Sequence, residues 1–318
     1  MAAEGLDIRD AYAQALVDLG SVNPAVVVLD ADGARTHHTE RFGRAYPCRF
    51  FDLGVAEQNT VGTAAGLAAC GKVPFATMFA NFAALRACEQ VKTMVSYPGL
   101  NVKIVGGYAG ASDGPDGPTH HCLVDVAVMR ALPNMAVLVP ADAVSTRATV
   151  FLSAKHIGPV YLRLVYGSFG QYHDPAHSFE VGKGVVLADG QDVAILTSGP
   201  VLDQAFAARE RLLKRQIEAR IIDLFSAKPL DEALVLQAAA ETGALVVVEE
   251  HSILGGVGSA VAELVSSHDP LPVERVGYPD RHLESAPHAV LVERYGPSAA
   301  AIVAAVERAL SRKRAAKL

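Results

Sequence analysis

The stretch Phe50-Phe51-Asp52-Leu53-Gly54-Val55-Ala56-Glu57-Gln58-Asn59-Thr60 decides the fold. Its aromatic start reads as the end of a short strand, Gly54 breaks it, and from Glu57 onward the small residues Gly62, Ala65, Gly66 and Ala69 continue as a helix. A strand running through one turn into a helix is half of a βα unit. The same passage recurs along the chain. Short β-branched runs at 25–32, 49–54, 73–79, 101–107, 136–140 and 159–164 alternate with alanine-rich helical stretches. Among these are 84–97, ended by Pro98-Gly99, and 141–156, opened by Asp142 as a cap. From 167 to 184 the periodicity lapses into Gly, His, Pro and Ser. It restarts with strands at 192–199, 218–225, 244–250 and 273–279, with Leu202, Phe206 and Leu213 on one face of the helix that follows the first of them. The pattern predicts an α/β protein in two units, an open, mostly parallel sheet over 1–170 and a smaller α/β unit over 186–318, joined by a linker at 171–185.

At 318 residues the chain exceeds the size at which one core usually stops growing, which agrees with two units. Hydrophobic residues make up 51% and charged residues 19%, but no apolar run approaches the ~18 uninterrupted residues of a membrane span, so no membrane partner is expected. A net charge of -6 does not suggest nucleic acid. The one cationic cluster, Arg312-Lys313-Arg314 with Lys317, reads as a frayed helix end. Cys48, Cys70, Cys88 and Cys122 are too scattered for a zinc site or disulfide framework and suit reduced thiols. With no apolar leader at the N-terminus, a cytoplasmic location is expected.

Glu57 follows the carboxyl end of a strand, where open α/β sheets bind ligands. An acidic residue in a first helical turn can simply complement the helix dipole, worth under about 1 kcal/mol. What favours chemistry is the glycine-rich helix behind it, since each mid-helix glycine costs about 1 kcal/mol relative to alanine and close packing must compensate. A second candidate is the loop Gly110 to His121, in which Ser112, Asp116, Thr119 and His120 gather after another strand. The pairs His37-His38 and His173/His177 lack a third ligand at metal spacing and read as surface histidines. Gly255-Gly256-Val257-Gly258 after Glu249-Glu250-His251 lacks the third glycine of a dinucleotide fingerprint and reads as a packed helix start.

Gly54-Val55-Ala56-Glu57-Gln58-Asn59, Ala64-Ala65-Gly66-Leu67-Ala68 and Thr77-Met78-Phe79 together resemble the C-terminal half of transketolases, above all the small subunit of those split into two chains. The likeness continues through Asp116-Gly117-Pro118-Thr119-His120, Met129-Arg130-Ala131-Leu132-Pro133-Asn134-Met135, Val139-Pro140-Ala141-Asp142 and Glu249-Glu250-His251-Ser252-Ile253-Leu254-Gly255-Gly256, nearly the whole chain. The resemblance implies a pyrimidine-binding domain followed by the transketolase C-terminal domain. It implies two-carbon ketol transfer from a ketose to an aldose with thiamine diphosphate as cofactor. In that family the glutamate matching Glu57 hydrogen-bonds the pyrimidine N1′ nitrogen and so promotes loss of the thiazolium C2 proton. Phe79 and Phe82 would pack on the pyrimidine, Asp32 would approach the thiazolium, and Asp116 and His120 would contact the sugar and assist proton transfer.

The family's Gly-Asp-Gly diphosphate motif is missing from this sequence, which implies Mg2+ ligands on a partner, the diphosphate-binding transketolase N-terminal subunit, in an α2β2 heterotetramer. Arg9 and Thr36 match positions that contact the sugar phosphate, while Tyr108 replaces a family histidine, Tyr166 a family arginine and Leu85 a pocket aromatic. Tyrosine cannot offer the bidentate charged fork of arginine, so ordinary ketose phosphates are expected to be poor donors unless Arg163 compensates. The β subunit of a 2-oxo acid dehydrogenase shares the two-domain plan, 1-deoxyxylulose-5-phosphate synthase shares the motifs within one long chain, and a noncatalytic assembly or regulatory subunit is the non-enzyme alternative.

Overall fold

Runs of Val, Ile and Leu that are buried on both faces can only be the strands of a sheet covered by helices on each side. The computed structural model describes residues 6–315 and has that arrangement twice. In the first unit β1 (Leu6–Asp7) leads into α1 (Ile8–Val22), whose N-terminus is capped by the Asp7 carboxylate accepting from the Arg9 amide. There follow β2 (Val26–Asp30), α2 (Glu40–Ala45), β3 (Phe50–Asp52), α3 (Glu57–Ala69) and β4 (Val73–Phe79). The helical stretch expected over 84–97 is present but underwound. A short α4 (Cys88–Gln90) sits between two π-helical segments, Phe82–Arg86 and Val91–Ser96, the kind of irregularity often found beside functional sites. The unit closes with β5 (Lys103–Gly107), α5 (Asp125–Ala131), β6 (Ala136–Leu138), α6 (Ala143–Lys155), β7 (Val160–Arg163) and β8 (Ser168–Phe169), which pairs antiparallel with β1. Asp142 caps α6 as its position suggests, with Ser145 completing a capping box.

The second unit contains β9 (Val185–Ala188), β10 (Val193–Ser198), α7 (Leu202–Leu213), β11 (Ala219–Asp223), β12 (Ser226–Lys228), α8 (Glu232–Thr242), β13 (Leu245–Ser252), α9 (Val257–His268), β14 (Val273–Tyr278), α10 (His288–Tyr295) and α11 (Ala299–Ala315). Its five-stranded sheet runs β14-β13-β10-β11-β9, parallel except for β9 at the edge. The first sheet has seven strands in the order β12-β6-β7-β5-β4-β2-β3. Its β12 comes from the second half of the chain, lies antiparallel to β6, and extends a sheet whose other strands precede residue 164. One apolar cluster runs from Val27 and Met78 through Val137 and Val139 to Leu196, Val247 and Val261, so the units share core as well as sheet.

Several sequence expectations need correcting. The buried stripe of α7 is Leu202, Ala205, Ala208 and Leu212; Leu213, in the last turn, is exposed. Arg312 and Lys313 are not frayed. Arg312 pairs with Glu274 at 2.9 Å, and Lys313 donates to the carbonyls of Asp192 and Thr242, pinning the end of α11; Lys317 lies outside the described residues. The segment His288–Ala315 is long and apolar enough to cross a membrane by composition. It is nevertheless two helices, and Ile302, Val303, Val306 and Ala309 of the second fill the core of the smaller unit. The four cysteines are unpaired.

Candidate active site

Strands β2, β3, β4, β5 and β7 all run the same way, so the loops after them open on one edge of the sheet. That edge collects nearly every candidate residue. Asp32, exposed and in a left-handed conformation at φ +67°, and partly buried Thr36 follow β2. Glu57 follows β3 as the first residue of α3, Phe79 ends β4, and Phe82 opens the π turn after it. Tyr108 follows β5, and the loop to His120 comes next.

Glu57 is 3% exposed, and among the described residues the only partner of its carboxylate is the Arg86 guanidinium, whose Nη1 donates to Oε1 at 2.8 Å and to Oε2 at 2.9 Å. Arg86 is itself exposed and lies over the Phe82 ring, its Cζ 4.0 Å from the centroid. Phe79 and Phe82 are 5.8 Å apart, and His120 packs edge-on against both, at 5.8 and 5.3 Å. Tyr108 stacks parallel to Phe79 at 5.2 Å. The site is therefore a wall of aromatic rings beside one buried carboxylate, suited to a flat heterocycle that carries a hydrogen-bonding nitrogen.

The loop Gly110–Cys122 is closed at its base by paired backbone hydrogen bonds between those two residues. Within it Asp116 is exposed, His120 is half-buried with Nδ1 3.1 Å from the Thr119 hydroxyl, and Asp113 is buried. Burial, reinforced by the neighbouring Asp116, pushes the Asp113 carboxyl up to about 6. A cavity of about 640 Å³ opens between this loop and the second unit, lined by Leu85, Thr119, His121 and Arg281 but not by Glu57 or Phe79.

At the expected donor end, Arg9 is clamped by Asp7, at 3.2 Å through Nε and 2.8 Å through Nη2, and reaches the Tyr108 hydroxyl at 3.4 Å. Its guanidinium lies 5.6 Å from the Tyr166 ring centroid. Two expectations fail here. Arg163 cannot compensate for a lost phosphate ligand, because it is 1% exposed and bound by Asp125 at 2.8 Å and by the Glu250 carbonyl at 2.8 Å. Tyr166 is 4% exposed with its hydroxyl buried and unpartnered, so it offers its ring to Arg9 rather than a hydroxyl to a substrate.

The sequence reading missed His37. It is fully buried, bonded through Nδ1 to Asp30 at 3.3 Å, and packed against Phe79 and Tyr166, where a surface histidine was expected. The signal was its place a few residues past the carboxyl end of β2. His173, also expected at the surface, is buried between Asp142 at 2.9 Å and Asp223 at 3.2 Å, while His177 is exposed. The glycines of α3 do not pack within this chain either: a Cβ on Gly66 would meet nothing within 4 Å, and one on Gly62 only Met94 at 3.7 Å. The space they leave is open with Met94 at its edge, and Val55, Leu85 and Tyr97 are exposed as well.

Comparison with known proteins assigns the two units separately. Residues 4–169 match the transketolase pyrimidine-binding domain and residues 182–302 the transketolase C-terminal domain. The chain is 39% identical over 306 residues to the 6-deoxy-6-sulfo-D-fructose transketolase subunit of Clostridium sp. (strain MSTE9), covering 96% of this chain and 95% of that one. It is 35% identical over 297 residues to one of the subunits of the apulose-4-phosphate transketolase of Phocaeicola vulgatus, covering 93% and 95% respectively. Among solved structures, a split-gene transketolase described as an inactive β4 tetramer superposes with a TM-score of 0.91 at 48% identity, over 98% of this chain and 100% of that one.

Proposed function

The chain belongs to the transketolase family, as one subunit of a split thiamine-diphosphate-dependent transketolase that moves a two-carbon ketol unit with a partner subunit, and from that premise we propose how its residues serve the reaction. The observation that carries the reading is the buried Glu57 carboxylate. Among the described residues it has no backbone donor and is held only by the exposed Arg86 side chain, beside the aromatic wall of Phe79, Phe82 and Tyr108.

These residues fit an aminopyrimidine. The bound cofactor supplies the carbanion chemistry of its C2 carbon. Glu57 would share a proton with the pyrimidine N1′ nitrogen through lone pairs that the Arg86 contacts leave free. Phe79 and Phe82 would orient the ring, and Asp32, exposed just after β2, would approach the thiazolium. His120 and Asp116 bind donor hydroxyls and move protons at the sugar carbonyl, while Thr36 and Arg9 address the donor's far end. Mg2+ would be held by the diphosphate-binding subunit. The open glycine face of α3 and the exposed Val55, Leu85, Met94 and Tyr97 suit that subunit as a docking surface, in an α2β2 assembly. The unpaired cysteines favour a reducing, cytoplasmic setting.

The donor's far end meets one arginine already neutralised by Asp7, beside a tyrosine hydroxyl. That environment favours a neutral or singly charged terminus over the dianion of a phosphate. A hydroxyl-ended ketose or a sulfonate, the latter named for the Clostridium relative, fits it better than xylulose 5-phosphate. The test is reconstitution with a diphosphate-domain subunit followed by a donor screen over neutral, sulfonated and phosphorylated ketoses. Turnover by the chain without a partner would overturn the division of labour, and a clear preference for the phosphate would overturn the specificity.

A further inference from the structure

Side chains alternate across a strand, so the successive glutamates of β13 face opposite ways. Glu249 turns toward α9. Glu250, 2% exposed, reaches across the domain boundary to the loop that carries Asp116 and His120. Its Oε1 accepts the Ala111 amide at 2.9 Å and the His288 Nε2 at 2.8 Å, and its backbone carbonyl accepts Arg163 Nη2 at 2.8 Å. The same Arg163 nitrogen approaches the Cys122 carbonyl, at the loop's base, at 3.4 Å.

The approach is close. Gly110 adopts φ +66°, and a Cβ there would lie 2.4 Å from Glu250 Oε1, so only glycine lets the carboxylate in. Other parts of the second unit grip the loop as well. The Ala286 amide donates to the Gly114 carbonyl at 3.1 Å, Gly117 sits against the Ser285 hydroxyl, and Ala111 packs with Tyr278, Leu283 and Leu291.

We propose that Glu250 and His288 are positioning residues: together they form a latch through which the C-terminal domain fixes the Gly110–Cys122 loop, and so sets where Asp116 and His120 stand over the substrate. The consequence for the sugar rests on the roles given to Asp116 and His120 above; the latch itself does not. It is ionic at its centre. Burial disfavours the charge on both partners, but each one's field outweighs this, lowering Glu250 and raising His288. A raised histidine keeps its contribution below its ordinary value and loses it as pH climbs through the folded value, so the loop loosens on the alkaline side. Arg163, Tyr278 and His121 face Glu250 from the other elements, and Asp203 and Glu293 line the same small cavity as His288.

The first measurement is amide hydrogen exchange in the isolated chain, corrected for the intrinsic pH dependence. Glu250→Ala should speed exchange at Ala111 about tenfold or more while the core of β10 stays protected. His288→Gln, a partly exposed site that keeps a neutral donor, should remove the alkaline loosening seen in the native chain. In the reconstituted complex, both variants should lower kcat, with cofactor C2 exchange within about twofold of native, because Glu57 lies outside the latch. Unchanged Ala111 exchange in both variants would overturn the latch, as would kcat and C2 exchange falling together. If Ala111 responds as expected but the native complex transfers no ketol unit, the latch stands and the proposed function fails.

Discussion

Glu57 and Glu249 are the same residue in the same kind of place. Each is a buried carboxylate beside the first turn of a helix, Glu57 as the first residue of α3 and Glu249 reaching α9 from within β13, 3% and 4% exposed. Their partners differ. Glu249 accepts the Val257 and Gly258 amides, both at 2.9 Å, and Gly256 is glycine because a Cβ would lie 2.3 Å from Glu249 Oε2. It satisfies orphan donors that the first turn of α9 would otherwise bury, which is a structural task. Among the described residues Glu57 satisfies no backbone group and is compensated by one exposed arginine. A buried carboxylate compensated in that way is what the cofactor role proposed for Glu57 calls for. What distinguishes the carboxylate proposed to be chemical from the structural one is therefore its set of donors, not its burial or its nearness to a helix start.

The largest test of that contrast is Glu57→Gln. It should slow hydrogen-deuterium exchange at cofactor C2 in the assembled complex by roughly a hundredfold to ten-thousandfold, because an amide cannot exchange the N1′ proton. The isolated chain should unfold no more easily than native, and an unchanged exchange rate would remove Glu57 from the chemistry. Glu249→Leu should behave oppositely. Loss of two charge-assisted acceptor contacts should cost about 3 kcal/mol, read as an earlier denaturation midpoint. If its stability is unaffected, the two glutamates do not differ as described.

His173 sharpens the comparison, since it is a buried ionisable group satisfied wholly inside the chain. Burial opposes its charge, yet Asp142 and Asp223 push it up to about 9. Its stabilisation is complete below the ordinary value of 6.5 and is lost as pH rises to about 9. That loss is on the order of 2–3 kcal/mol. Thermal melts should therefore fall across this window, and His173→Asn should flatten the fall. The smallest expected effect lies at the open site. Tyr108→His, restoring the residue type seen in the resemblance, should raise kcat/KM for xylulose 5-phosphate by about tenfold, the worth of one charged hydrogen bond. Equal activity of the two forms toward phosphorylated donors would show that Tyr108 does not set specificity.

The sequence alone was enough to place the parallel strands of both sheets and the helix that Glu57 begins, but not the antiparallel edge strands β9 and β12, because hydrophobic periodicity and turn residues act over a few neighbouring positions. Glu57 and the loop of Asp116 and His120 were legible from their place after strands, since parallel strands send their following loops the same way, while Phe79, Phe82 and Tyr108 came from the resemblance to transketolases. Only the tertiary structure decided which polar groups are free and which are committed. Arg163 and His173 are consumed by partners 38 and 31 residues away, and Glu250 reaches a loop 139 residues before it. The transfer of β12 into the first sheet and the burial of His37 are of the same kind. A charge or hydrogen bond inside a protein is settled by whatever group meets it there, and the pattern of residues along the chain does not carry that pairing.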